Sequence, residues 1–109
     1  MRIGTMLNSG DVVLAKVQFV DSAQIKQRPA VVLFEEMGNV VVAGITSNTK
    51  MKGISLSKED GLIKDSVIKL SYIFTITEKA IEKRIAVLRK EKRRKLYDAL
   101  NERLEKIKV

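Results

Sequence analysis

The sequence contains no cysteine and no histidine. Their absence excludes disulfides, thiol nucleophiles, Cys/His zinc sites and imidazole acid–base catalysis. Any chemistry here must come from Arg, Lys, Thr, Ser, Tyr or carboxylates. Tryptophan is absent too, and aromatics are only 5% of the chain, which leaves Tyr72, Tyr97 and three phenylalanines for stacking. No segment approaches the roughly 20 consecutive apolar residues of a membrane span. The opening Met1-Arg2-Ile3-Gly4-Thr5-Met6-Leu7 gives way to polar Asn8, Ser9 and Gly10 before a signal-peptide core can develop. A cytoplasmic protein without membrane contact is the expectation.

What is present is apolar residues and positive charge. At 109 residues the default is a single domain spanning 1–109, with one modest core that dimerisation would enlarge. Apolar residues make up 45%, which fits a folded chain. Lys and Arg total 21 against 13 Asp and Glu, a formal charge of +8. That balance favours an anionic partner, and nucleic acid, an acidic protein segment and an anionic membrane all qualify.

Hydrophobic patterning predicts mainly β structure over about residues 10–88 and a C-terminal amphipathic helix over about 90–107. Residues 12–20 form a β-branched run, 21–28 read as a polar loop, and 29–34 form a second run with Pro29 at its first position. Met37-Gly38-Asn39 signals a turn, so 40–45 should return as a hairpin. Both runs are apolar on both faces, as in a sheet covered on each side. After the polar loop 47–52 come a short strand at 54–56, a turn at 58–61 and a long strand at 66–75. Alternation in that strand puts Ile68, Leu70, Tyr72 and Phe74 on one face and Val67, Lys69, Ser71 and Ile73 on the other. Thr77 can cap a short helix reaching Glu82, and 84–88 make one more strand. Leu96, Leu100, Leu104 and Ile107 then mark one apolar stripe on the last helix.

Several segments carry a resemblance. Gly10-Asp11-Val12-Val13-Leu14, Gln27-Arg28-Pro29-Ala30-Val31-Val32, Val42-Ala43-Gly44-Ile45-Thr46-Ser47, Leu62-Ile63-Lys64-Asp65-Ser66-Val67-Ile68 and Ile73-Phe74-Thr75-Ile76 occur in order over about residues 9–88. Each is weak alone, but the ordered set resembles the MazF/PemK-like type II toxins. The resemblance implies a mainly β (β+α) fold, an SH3-like small β-barrel with the helix packed on one side, usually as a homodimer. It also implies a metal-independent endoribonuclease (mRNA interferase) that cleaves single-stranded RNA, takes no cofactor and is inhibited by an acidic cognate antitoxin.

Metal-free RNA cleavage uses the ribose 2′-OH as nucleophile, so a cation and a hydroxyl donor at one phosphate supply much of what is needed. Arg28 offers a planar donor fork that suits phosphate. The resemblance makes Arg28 and Thr46 catalytic, with Lys69 where some relatives carry a catalytic Arg. Gln27, Ser47, Lys50, Lys52 and Ser71 complete the RNA-binding set. Taken alone, Arg28 reads as a solvated residue before a strand and Thr46 and Ser47 as a strand-end cap, and Lys69 could as well be an exposed strand lysine.

The chain departs from its relatives at Ala23, Ser71 and Phe74, where many or some of them carry Glu, an acid and Arg. Activation of the 2′-OH could rest on Arg28 and Lys69, or on nearby Asp21, or activity could be weak. The basic run Lys83, Arg84, Arg89, Lys90, Lys92, Arg93, Arg94 and Lys95 could track a phosphate backbone, though a solvated helix start is the commoner meaning. Two other readings stand: a catalytically weakened barrel that binds nucleic acid or protein, and a toxin acting on DNA gyrase.

Overall fold

The computed structural model describes residues 7–18 and 23–109. Strands β1 (Asp11–Val17), β2 (Lys26–Glu36), β3 (Asn39–Thr46), β4 (Ile54–Leu56), β5 (Ser66–Thr77) and β6 (Ile81–Val87) precede helix α1 (Lys90–Leu104). They form a single curled sheet in the order β4-β5-β3-β2-β1-β6, with every pairing antiparallel. The mainly β architecture with one C-terminal helix is therefore as expected. The start of β2 differs from the sequence reading. The second strand starts at Lys26, so Gln27 and Arg28 are strand residues, and Pro29 is its fourth position. Pairing to β3 begins only at Ala30, which leaves Pro29 at the end of that ladder, where a missing N–H is tolerated.

The β2–β3 hairpin turns through Met37 and Gly38, both at positive φ (51° and 84°), the conformation that matches the twist of the flanking strands. Both faces of the sheet are covered. One buries Val13, Ala15, Val17, Ala30, Val32, Val40, Val42, Tyr72 and Ile81. The other buries Val12, Val31, Ala43, Ile45, Ile68 and Leu70 beneath Leu88 and Leu96, with Leu100 partly buried. This double cover is why the strands read as β-branched runs without clean alternation.

Strand β5 contradicts the simple alternation. Between Ala43 and Ile45 of β3 its pairing jumps from Ile73 to Ile68. Past this irregularity the faces exchange: Ile68 and Leu70 join the helix-side core, while Tyr72, Phe74 and Ile76 join the opposite one. The helical stripe also thins out. Leu96 is buried and Leu100 half-buried, but Leu104 and Ile107 are exposed. Thr77 makes no side-chain cap, and the short 3-10 turn Glu78–Ala80 ends before Ile81 opens β6. An apolar groove of about 660 Å³ remains beside α1, lined in part by Leu33, Phe34, Val41, Ile73, Tyr97 and Leu104.

The two edge strands are brought together by the turn that follows β4. Ser57 and Asp60 cap that turn reciprocally: the Ser57 hydroxyl accepts from the Glu59 N–H, and the Asp60 carboxylate accepts from the Ser57 N–H at 3.0 Å. The other Asp60 oxygen accepts from Arg89 Nε at 3.0 Å, just beyond β6. Gly61 sits at φ 92°, and a Cβ there would lie 2.6 Å from the Ala86 Cβ. Asp60 is buried, and its removal would leave the Ser57 N–H without its acceptor and Arg89 with Glu59 at 3.9 Å and solvent. We expect Asp60→Ala to cost about 2 kcal/mol of stability, discounted for the partly exposed Arg89. Urea denaturation should show a lower midpoint at unchanged slope; an unchanged midpoint would mean the edges are held together without this pair.

Candidate cleft for a phosphate-bearing ligand

The meeting of the edges leaves a cleft of about 430 Å³. Strand β1 contributes Leu14, β2 contributes Lys26, Gln27, Arg28 and Pro29, and the end of β3 contributes Ile45, Thr46 and Ser47. Leu62, Ile63, Lys64 and Ser66 come from the segment that leads into β5, and Ile85 from β6. The composition is specific: Lys26, Arg28 and Lys64 are cations, Thr46, Ser47 and Ser66 carry hydroxyls, and among the described residues no Asp or Glu is in the lining. The cations and the Thr46 and Ser47 hydroxyls are the groups that suit an anion, with charge and directional hydrogen bonds.

Local hydrogen bonding prepares these groups. Thr46 Oγ1 accepts from the Asn48 N–H at 3.1 Å, so its own proton remains available to donate. Asn48 Oδ1 in turn accepts from the Lys50 N–H at 3.1 Å, which shapes the loop leaving β3. Ser66 Oγ donates to the Lys64 carbonyl at 3.0 Å. Arg28 is half-buried at the start of β2, opposite Ala15 of β1. Gln27 Nε2 donates to a carboxylate oxygen of Glu82 on β6.

Of the residues singled out from sequence, Gln27, Arg28, Thr46 and Ser47 come together in this cleft. Lys50 and Lys52 lie on the exposed loop after β3 and do not line it. Lys69 is half-buried on β5, its Nζ 5.9 Å from the centroid of the Tyr72 ring, and exposed Ser71 follows it. Neither lines the cleft. Ala23 is exposed, Phe74 packs partly buried against the core, and Asp21 lies outside the described residues. Sequence reasoning did not nominate Lys26, Lys64, Ser66 or Glu82. Lys64 and Ser66 were visible as part of a motif, but nothing local marked that segment as facing Arg28.

The basic run is largely occupied within the chain. Arg84 pairs with buried Asp11 at 3.1 Å and Arg89 with Asp60. Arg94 pairs with Asp98, Lys95 with Glu91, and Lys92 donates to the Ser55 carbonyl. Among the described residues no three His, Cys, Asp or Glu side chains cluster as metal ligands, and no helix is long and apolar enough to cross a membrane.

A sequence profile described as "PemK-like, MazF-like toxin of type II toxin-antitoxin system" matches residues 8–104. Among solved structures, the chain is similar to the Mycobacterium tuberculosis toxin MazF-mt6, with a TM-score of 0.71 and 23% identity. That likeness covers 87% of this chain and 96% of the other. It is also similar to an endoribonuclease in complex with its cognate antitoxin from mycobacterial species, with a TM-score of 0.67 and 15% identity over 89% of this chain and 91% of that one. At these identities the likeness is one of fold.

If the cleft receives anions, reversing charge at its two lysines should be felt. Lys26→Glu combined with Lys64→Glu is expected to weaken binding of a labelled single-stranded oligodeoxynucleotide about tenfold at low salt. Fluorescence anisotropy measures it, with a thermal melt as the control for folding. Equal affinity in the double variant would show that anions bind elsewhere.

Proposed function

The chain belongs to the PemK-like, MazF-like toxins of type II toxin-antitoxin systems, and on that premise we propose that it is a metal-independent endoribonuclease that cuts single-stranded RNA in the cleft between β2, β3 and β5. The observation that carries this reading is the convergence of Arg28 with Thr46 and Ser47, flanked by Lys26 and Lys64. Arg28 takes the non-bridging oxygens of the scissile phosphate, and the Thr46 hydroxyl donates to the same group. The ribose 2′-oxygen attacks phosphorus and loses its proton to solvent; the P–O5′ bond breaks and the 5′-oxygen takes up a proton. The products are a 2′,3′-cyclic phosphate and a 5′-hydroxyl. With no carboxylate among the described lining residues, this reading rests the rate enhancement on stabilising phosphorane charge more than on a strong base. Lys69 lies outside the lining and has no step in this reading.

The same absence of an acid among the described lining residues favours a second reading, a barrel that binds RNA and cuts it slowly. Both readings share an antitoxin partner. An acidic, extended segment would compete with RNA for Lys26, Arg28 and Lys64, and a chain of charge +8 would attract it. A homodimer belongs to the proposal as well. Phe34, Ile73, Tyr97 and Leu104 expose apolar surface beside α1 of the kind that a second copy covers.

Incubating the purified protein with long single-stranded RNA in EDTA should give fragments ending in 2′,3′-cyclic phosphate. Cleavage that vanishes in EDTA and returns with magnesium would sink the metal-free mechanism. Arg28→Ala and Thr46→Ala should each lower the cleavage rate by about 10²–10³, the usual cost of losing one preorganised donor. Folded variants that cut at the wild-type rate would put the chemistry elsewhere, and a wild-type protein that binds RNA without cutting would favour the second reading.

A further inference from the structure

The pairing of β1 with β6 advances one residue along β1, from Leu14 to Ala15, and two along β6, from Lys83 to Ile81. Glu82 is the residue left over, and such a bulge re-aims the side chain it carries. From there Glu82 reaches past β1, which lies between β6 and β2, and accepts a hydrogen bond from Gln27 Nε2. Gln27 lines the cleft next to Arg28, while Glu82 does not.

This contact settles what an exposed glutamine otherwise leaves open. An ionised carboxylate only accepts hydrogen bonds, so the amide must turn its nitrogen toward Glu82. The carbonyl Oε1 is then the end of Gln27 left for a ligand. Leu14, Pro29, Ile63 and Ile85 give the cleft an apolar wall, and Ile63 is 91% exposed, free to meet a flat ring. A phosphate cradle, an apolar wall and one oriented amide together make a seat for a nucleotide rather than for a bare phosphate.

We propose that Gln27, oriented by Glu82, selects the nucleobase beside the phosphate that Arg28 holds, a proposal that rests on the RNA-cleavage reading above. Gln27 is the specificity residue and Glu82 its positioning residue. A carbonyl acceptor backed by a carboxylate favours a base edge that carries an amino group and disfavours one that carries a carbonyl. Adenine is therefore preferred over hypoxanthine, and cytosine over uracil, at one position next to the cut.

The test compares the wild-type, Glu82→Gln and Gln27→Ala proteins on a randomised single-stranded RNA library, with cut ends sequenced. Matched substrates differing only in adenine or hypoxanthine, or in cytosine or uracil, at the flanking position then give kcat and KM. Wild type should prefer the amino-bearing base by about tenfold, the worth of one charge-supported hydrogen bond. Glu82→Gln frees the amide to turn over, so the preference should collapse because the carbonyl-bearing substrates improve, chiefly through KM. Better cleavage of the poor substrate is a gain that loss of structure would not produce. Gln27→Ala should flatten the same position. A preference identical in wild type and Glu82→Gln, or a wild-type preference for carbonyl-bearing bases, overturns the proposal while leaving RNA cleavage standing. No cleavage by wild type overturns both.

Discussion

The interaction on which the rest of the structure depends is the closure of the sheet's two edges around Asp60. Strands β4 and β6 are at opposite ends of the strand order, yet the turn after β4 reaches the end of β6. Asp60 serves two masters there. One oxygen finishes the capping of its own turn and the other holds Arg89. Gly61 completes the approach, because a side chain at that position would run into Ala86. The segment after this turn carries Leu62, Ile63, Lys64 and Ser66 to within reach of β2 and β3. Without closure, Arg28 and Thr46 would still sit on neighbouring strands, but the wall opposite them would be missing.

Charge in this protein is divided by task. The dense run at the start of α1 accounts for much of the net positive charge, yet most of it is spent on contacts within the chain. Arg84 neutralises Asp11, a carboxylate 1% exposed that also accepts from the Asn8 N–H. The cations at the cleft are instead scattered along the sequence at positions 26, 28 and 64 and become a group only by folding. Local charge density therefore marks where the fold is tied, while the cleft's charges are assembled from two separate segments, β2 and the approach to β5.

The sequence carried the elements better than their relations. The β-branched runs, the Met37-Gly38 turn, the strand at Ile54–Leu56 and the start of α1 were all legible, because each is a local preference expressed over several adjacent residues. Arg28 and Thr46 could be paired only through an ordered resemblance, since nothing in their own neighbourhoods links them. What could not be read is what irregular pairing decides. The jump in β5 exchanges the faces of Leu70 and Tyr72, and Lys69 falls within that stretch, outside the cleft. The bulge in β6 brings Glu82 to Gln27, 55 positions away. Such slips depend on how neighbouring strands pack and leave no period in the sequence to detect. The apolar stripe of α1 misled in a milder way. It fixed the helix's orientation through Leu96, but Leu104 and Ile107 extend past the surface that this chain can cover.

The chain order of the cleft has a consequence for how the protein comes into being. Its walls run from Leu14 to Ile85, and the arginine that ties the edges, Arg89, follows later still. A ribosome releases the β2–β3 hairpin first, and a hairpin can form from adjacent residues alone. At that stage Arg28 and Thr46 already lie on paired strands, and the wall formed by Leu62, Ile63 and Lys64 has still to be made. The seat is complete only when β6 and the first turn of α1 have emerged. A chain stopped before β6 therefore lacks Ile85 and the Asp60–Arg89 tie, and its cleft is incomplete. The late tie makes the cleft a property of the closed sheet and not of any hairpin within it.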